Sequence, residues 1–120
     1  MLFTQNINYY DKGGESFADI RIEDFVFHCR ISGIDNIGDA VILLHGFPET
    51  SRMWYPLMEV LETNGMKVIA PDQRGYSHGA RPPKISDYTI DKLSKDVIDI
   101  ADGFQFDKFH LIGHDWGSAV

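Results

Sequence analysis

Lys108-Phe109-His110-Leu111-Ile112-Gly113-His114-Asp115-Trp116-Gly117-Ser118-Ala119 is the stretch from which the fold of this 120-residue chain is read. A short apolar run of β type, 108–112, passes without a linker into a small-x-acid-x-small pattern centred on Asp115. A strand that turns this abruptly into a helix holds the middle residue of the turn in a strained backbone conformation. The residues two positions to either side must then be small to avoid collision, which accounts for Gly113 and Gly117. In form this is a nucleophile elbow with Asp115 at its tip. A glycine-rich strand exit with an aspartate capping the next helix would use the same residues, so the pattern is weighed with what precedes it.

Two more runs of buried-strand type lie upstream. Ala40-Val41-Ile42-Leu43-Leu44 is continuously apolar and stops at His45-Gly46-Phe47-Pro48, as a strand covered on both faces does. Lys67-Val68-Ile69-Ala70-Pro71 stops at a polar loop, Asp72 to Tyr88, long enough to be a functional surface. Between these two strands Trp54, Leu57, Met58 and Leu61 keep the helical period, with Thr50-Ser51 as a cap and Asn64-Gly65 as the close, which predicts a helix over 52–62. A second helix is predicted from Thr89 as cap, through Ile90, Leu93, Val97 and Ile100, to Gly103 as stop.

Nearer the start, 17–22 and 25–31 alternate as an antiparallel hairpin expected at a sheet edge, and the polar stretch 1–16 reads as a lead-in. The order β-β-β-α-β-α-β predicts an α/β unit over 17–120, a mostly parallel sheet with an antiparallel N-terminal hairpin and helices on both faces.

Composition narrows the function. Eleven Lys plus Arg stand against 18 Asp plus Glu, a net charge of −7, and no basic stripe offers itself to phosphates, so nucleic acid is not an expected partner. No apolar run approaches the ~18 residues of a membrane span, and Met1 opens no basic-then-apolar leader. Cys29 is the single cysteine, which leaves no internal disulfide and no cysteine-based zinc site, and a cytoplasmic location is expected. His114 beside Asp115 lacks the spacing of a metal site, and Gly75 to Gly79 lacks the Lys-Ser/Thr ending of a phosphate loop. Neither metal nor cofactor is expected.

Taken together, the loops at 45–48 and 113–117 resemble those of the α/β-hydrolase family. A third match is Asp72-Gln73-Arg74-Gly75-Tyr76, which looks like the family's loop after its fourth strand, with Ser77 where glycine is more usual. The three motifs fall in the family's order, and the resemblance extends over 17–120. It implies the N-terminal part of an α/β-hydrolase fold, with Asp115 as nucleophile and an oxyanion hole built from the backbone N–H groups of Phe47 and Trp116. Trp116 is also the expected substrate contact. Ser118 lies past the turn, where capping or packing explains it, and His45 is expected to order its loop through hydrogen bonds.

The identity of the residue at the tip sets the reaction class. A carboxylate is already ionised near neutral pH, with an unperturbed pKa of ~3.9, and attacks carbon without a base to activate it. That suits displacement at an sp³ carbon with a strained or good leaving group, an epoxide or an alkyl halide, and gives an alkyl-enzyme ester that water must cleave. Phe47 together with His114-Asp115-Trp116-Gly117 looks most like epoxide hydrolases. Haloalkane dehalogenases, many of which carry Asn at the position of Phe47, are the alternative.

In the family, the acid partner, the histidine that activates water and the tyrosines of a lid follow later in the chain than Val120. The 120 residues are therefore expected to be the N-terminal part of a longer enzyme, marginal in isolation. The other expectation is a non-catalytic product that pairs its open sheet edge, along 108–112, with another chain.

Overall fold

The structure, a computed structural model, describes residues 6–120, so Met1–Gln5 of the expected lead-in lie outside it. Six strands form one mixed sheet: β1 (Ile7–Lys12), β2 (Glu15–Ile22), β3 (Phe25–Ser32), β4 (Ala40–Leu44), β5 (Lys67–Pro71) and β6 (His110–Gly113), in the spatial order β1-β2-β3-β5-β4-β6. The N-terminal strands pair antiparallel and β3 joins β5 antiparallel. The later strands are parallel, β5 beside β4 and β4 beside β6.

All five residues of β4 are buried, because its two faces serve different helices. Val41 and Leu43 pack with Val68, Ala70, Trp54 and Met58 on the side of helix α1 (Tyr55–Thr63). Ala40, Ile42 and Leu44 pack with Ile69, Phe27, Val97 and Ile100 on the side of helix α2 (Ile90–Gly103). Alternation along strands buried on both faces thus divides one apolar sheet between two helical layers.

Several local readings change. Residues 7–12, inside the stretch read as a lead-in, are a strand. Tyr9 pairs with Ala18 and Tyr10 with Phe17. Its side chains are largely exposed, as on an edge strand, and the run Ile7-Asn8-Tyr9-Tyr10-Asp11-Lys12 has no alternation to mark it. The hairpin of β2 and β3 is consequently interior to the sheet and β1 is its edge.

Helix α1 starts three residues later than the apolar period indicates, with a 3₁₀ turn, Ser51–Trp54, leading into it. Pro56 sits in its first turn, where a missing N–H leaves no intrahelical bond unmade. Gly103 belongs to the last turn of α2 rather than to its stop. The left-handed residue is Gln105, at φ 64°, and a side chain at 103 would collide with Ile20 of β2. The glycine there answers close helix–sheet packing.

Strand β6 is not buried. Leu111 is 49% and Ile112 38% exposed, because α1 packs on β5 and β3 and α2 on β2, leaving both faces of this edge strand open.

Candidate active site

The exits of β4, β5 and β6 lie at one end of the sheet, and each delivers one of the three loops singled out in the sequence. After β6 the chain turns at Asp115, whose φ of 57° lies in the left-handed region. For a residue with a Cβ that conformation is held only by strong surroundings. The crowding around the turn supplies them: a Cβ at 113 would overlap the Gly117 carbonyl, and one at 117 would overlap the carbonyl oxygens of Leu44 and His45. A 3₁₀ turn, Asp115–Ala119, follows, and Ser118 Oγ donates to the Asp115 carbonyl at 2.6 Å.

The Asp115 carboxylate is met by the loop after β4. Phe47 N–H donates to Asp115 Oδ2 at 3.2 Å. Closeness of the two loops depends on Gly46, where a Cβ would stand 2.5 Å from Asp115 Cβ and 2.8 Å from its Oδ2. Among the described residues the Trp116 amide makes no hydrogen bond to that carboxylate. Its indole is instead exposed at the rim of a cavity of about 230 Å³, walled by Phe47, Gln73, Tyr76, Tyr88, Leu93 and Val120 among others. The structure therefore brings Phe47 onto Asp115 directly and Trp116 beside it.

The remaining histidines have defined places. His45 is buried, with Nδ1 2.9 Å from the Gly46 carbonyl and Nε2 3.0 Å from Gln73 N. The Gln73 side chain donates to the His45 carbonyl at 2.7 Å, and Tyr76 meets the imidazole edge-on, centroids 4.6 Å apart. Burial pushes the His45 pKa down, against the raising effects of the Gly46 carbonyl, Asp72 and Glu49. His114 turns away from the carboxylate and pairs with Glu49, 3.2 Å from Nδ1 to Oε1. Tyr76 has its pKa raised by burial and then by the charge of Asp115.

The loop after β5 is anchored from beneath. Arg74 forms a two-pronged pair with Asp96 of α2, Nε to Oδ2 at 2.9 Å and Nη2 to Oδ1 at 2.8 Å. It also donates to the Asp87 carbonyl at 2.8 Å and lies over the Phe25 ring. Burial raises the Asp96 pKa and the guanidinium works the other way. Asp72 accepts from Ser51 N–H at 2.7 Å, tying the same loop to the chain entering α1.

Sequence reasoning assigned no role to Gln73, Arg74 or Glu49. The signal available was positional: each lies within three residues of a strand exit or just past the proline after one, at the sheet end where ligands of parallel sheets bind. A larger groove, about 1040 Å³, opens at the opposite end between the β1–β2 turn, Arg30 and Glu59, remote from Asp115. Among the described residues no helix is long and apolar enough to cross a membrane, and no group of His, Cys, Asp or Glu is clustered to hold a metal.

Comparison with known proteins adds kinship. The family model described as alpha/beta hydrolase fold matches residues 39–120. The AB hydrolase superfamily protein YfhM of Bacillus subtilis is 40% identical over 101 residues, 84% of this chain and 35% of that protein. An epoxide hydrolase of Caballeronia sordidicola is 36% identical over 106 residues, 88% of this chain and 31% of that one. Among solved structures, an epoxide hydrolase from Vigna radiata superposes with a TM-score of 0.77 at 29% identity, over 95% of this chain and 33% of that one. Epoxide hydrolase A from Mycobacterium thermoresistibile gives 0.72 at 31% identity, over 93% and 32%. The chain thus spans about a third of the length of these relatives.

Proposed function

We propose, for a chain that belongs to the alpha/beta hydrolase fold family, that Asp115 is the nucleophile of an epoxide-opening hydrolase. The observation that carries the reading is the carboxylate of Asp115 on a left-handed turn, with the Phe47 amide donating to one of its oxygens. Its free oxygen attacks an epoxide carbon. A C–O bond forms, the ring C–O bond breaks, and the ring oxygen leaves with the electron pair and takes up a proton, giving an alkyl-enzyme ester. Water then adds to the ester carbonyl. The oxygen that becomes negative is stabilised by the Phe47 and Trp116 amides, and collapse releases the diol and restores the carboxylate.

Phe47 and Trp116, the one hydrogen-bonded to Asp115 and the other next to it in the chain, wall a largely apolar cavity, which suits a neutral small-molecule substrate with Trp116 as a contact. The epoxide hydrolases among the relatives favour an epoxide over an alkyl halide. By the resemblance, the proton for the ring oxygen comes from lid tyrosines and the water is activated by a histidine with an acidic partner. No residue of these 120 is assigned either role.

The test is one turnover of the full-length gene product on styrene oxide in ¹⁸O-water. The ester route puts unlabelled oxygen from Asp115 into the diol and ¹⁸O into the protein, and Asp115→Asn abolishes turnover. Label appearing in the diol during that first turnover would sink the ester. Bromide release from a bromoalkane without epoxide opening would move the substrate to alkyl halides.

A second reading, association with another chain along β6, is favoured by the exposure of Leu111 and Ile112 on an edge strand. Its measure is the sedimentation behaviour of the 120-residue chain.

A further inference from the structure

We infer that His45, held in one tautomer by Gln73, is a positioning residue that aims the Phe47 amide at Asp115. The inference rests on the reading of Asp115 as nucleophile for its kinetic consequence, but the geometry behind it is independent of that reading.

A backbone N–H has only a proton to offer, so the His45 Nε2 that receives Gln73 N–H at 3.0 Å carries a lone pair. The ring proton of the neutral imidazole then sits on Nδ1, and it is donated to the Gly46 carbonyl 2.9 Å away. That carbonyl belongs to the same planar peptide as the Phe47 N–H, and in a trans peptide the two point in opposite directions. A donor that fixes the Gly46 oxygen therefore fixes the direction of the Phe47 N–H, which points at Asp115 Oδ2. Glu49 N–H donates to the same Gly46 oxygen at 3.0 Å, and the Gln73 side chain holds the His45 carbonyl, so the peptide is restrained from both ends.

Protonation undoes the arrangement. A second proton, on Nε2, would face the Gln73 N–H, and two donors cannot share one line. The groups around the ring are Tyr76, edge-on from the loop after β5; Asp72 from that loop; and Glu49 from its own loop, the last paired with His114. Arg74 is engaged by Asp96. The burial that pushes the imidazole pKa down keeps the aimed form in place at neutral pH.

The experiment uses the full-length gene product and three variants. His45→Asn places an amide donor near the position of Nδ1 and does not titrate; His45→Phe removes donor and acceptor; Gln73→Leu removes the side-chain tie. Hydrogen exchange of the Phe47 amide, corrected for its intrinsic pH dependence, is expected to accelerate in His45→Phe and Gln73→Leu. In the parent it should accelerate on acidification, at a pH lower than the ordinary imidazole value because burial lowers the His45 pKa, and in His45→Asn it should not. With an epoxide, hydrolysis of the Asp115 ester should slow by about 10- to 100-fold in His45→Phe, the scale of a compromised oxyanion donor. Ester formation should change less, so ester accumulates, and His45→Asn should restore hydrolysis.

A Phe47 amide indifferent to His45→Phe, or the same acid response in His45→Asn as in the parent, overturns the inference. If His45→Phe does not fold, Gln73→Leu and the His45→Asn pH series decide it. Absence of any ester at Asp115 refutes the nucleophile reading alone, since amide exchange still reports the clamp.

Discussion

Phe47 N–H and Asp115 Oδ2 are 3.2 Å apart across 68 positions of sequence, joined by glycines that let two strand exits touch. The contact requires that position 46 have no side chain. Gly46→Ala puts a methyl 2.5 Å from Asp115 Cβ, closer than two carbons approach, and something must move. The movable part is the exposed Phe47-Pro48 segment that follows, rather than the buried end of β4. Turnover of the full-length gene product is therefore expected to fall by about 10²-fold or more, as when one oxyanion donor is lost. Calorimetry of the same variant is expected to show a folded protein, which separates misplacement from unfolding.

Arg74 and Asp96 are 9% and 10% exposed at their side chains, so each relies on the other for its charge. Arg74→Met leaves a buried carboxylate, and Asp96→Leu leaves a buried guanidinium. Each is expected to cost about 3–5 kcal/mol of unfolding free energy. The double replacement should cost less than the sum, because neither charge remains. Urea titrations of the four proteins form the cycle that measures it. Purely additive losses would mean that the pair does not hold the 72–88 loop to α2 as a unit.

Much of this architecture was legible because it follows from local patterns. The burial of β4 shows as five apolar residues without alternation, and the turn at Asp115 shows as two glycines at fixed distance from an acid. What was misread depended on distant partners. Strand β1 exists because Tyr9 and Tyr10 have Ala18 and Phe17 to pair with, and nothing within 7–12 announces it. Leu111 and Ile112 look buried in sequence, but their exposure is decided by what lies beside β6. Gly103 looks like a helix stop and is a contact point for Ile20. In the site, Asp115 and Phe47 were legible from motifs. The Gln73–His45 contacts were not, since a hydrogen bond between two loops leaves no periodicity in either.

Acid should weaken the fold through His45. Its folded pKa is lowered by burial, so near its ordinary value of about 6.5 the unfolded chain binds more protons than the folded one. Stability rises with pH wherever that holds. The contribution is fully present above about pH 6.5 and is lost as pH falls from there toward the depressed folded value. His45→Asn, which cannot titrate, should flatten this part of the curve. Midpoints of urea unfolding at half-unit steps between pH 7.5 and 5.0 measure it, and identical slopes for parent and variant would mean the histidine does not carry the linkage.

The open edge of β6 makes a separate claim on behaviour. Leu111 and Ile112 present apolar side chains on a strand whose outer backbone groups face no neighbour among the described residues. Such an edge is a template for pairing with another chain. Leu111→Lys puts a charge on it at a position 49% exposed, where removal of the leucine should alter stability by no more than about 0.5 kcal/mol. Sedimentation velocity of the 120-residue chain is expected to show concentration-dependent association that this substitution reduces. The parallel ladder of β6 with β4, from Val41 opposite His110 to Leu44 opposite Gly113, is made by backbone groups and does not use the Leu111 side chain, so lost association is attributable to the edge. An equally associated Leu111→Lys chain would place the contact elsewhere and remove the support for pairing along β6.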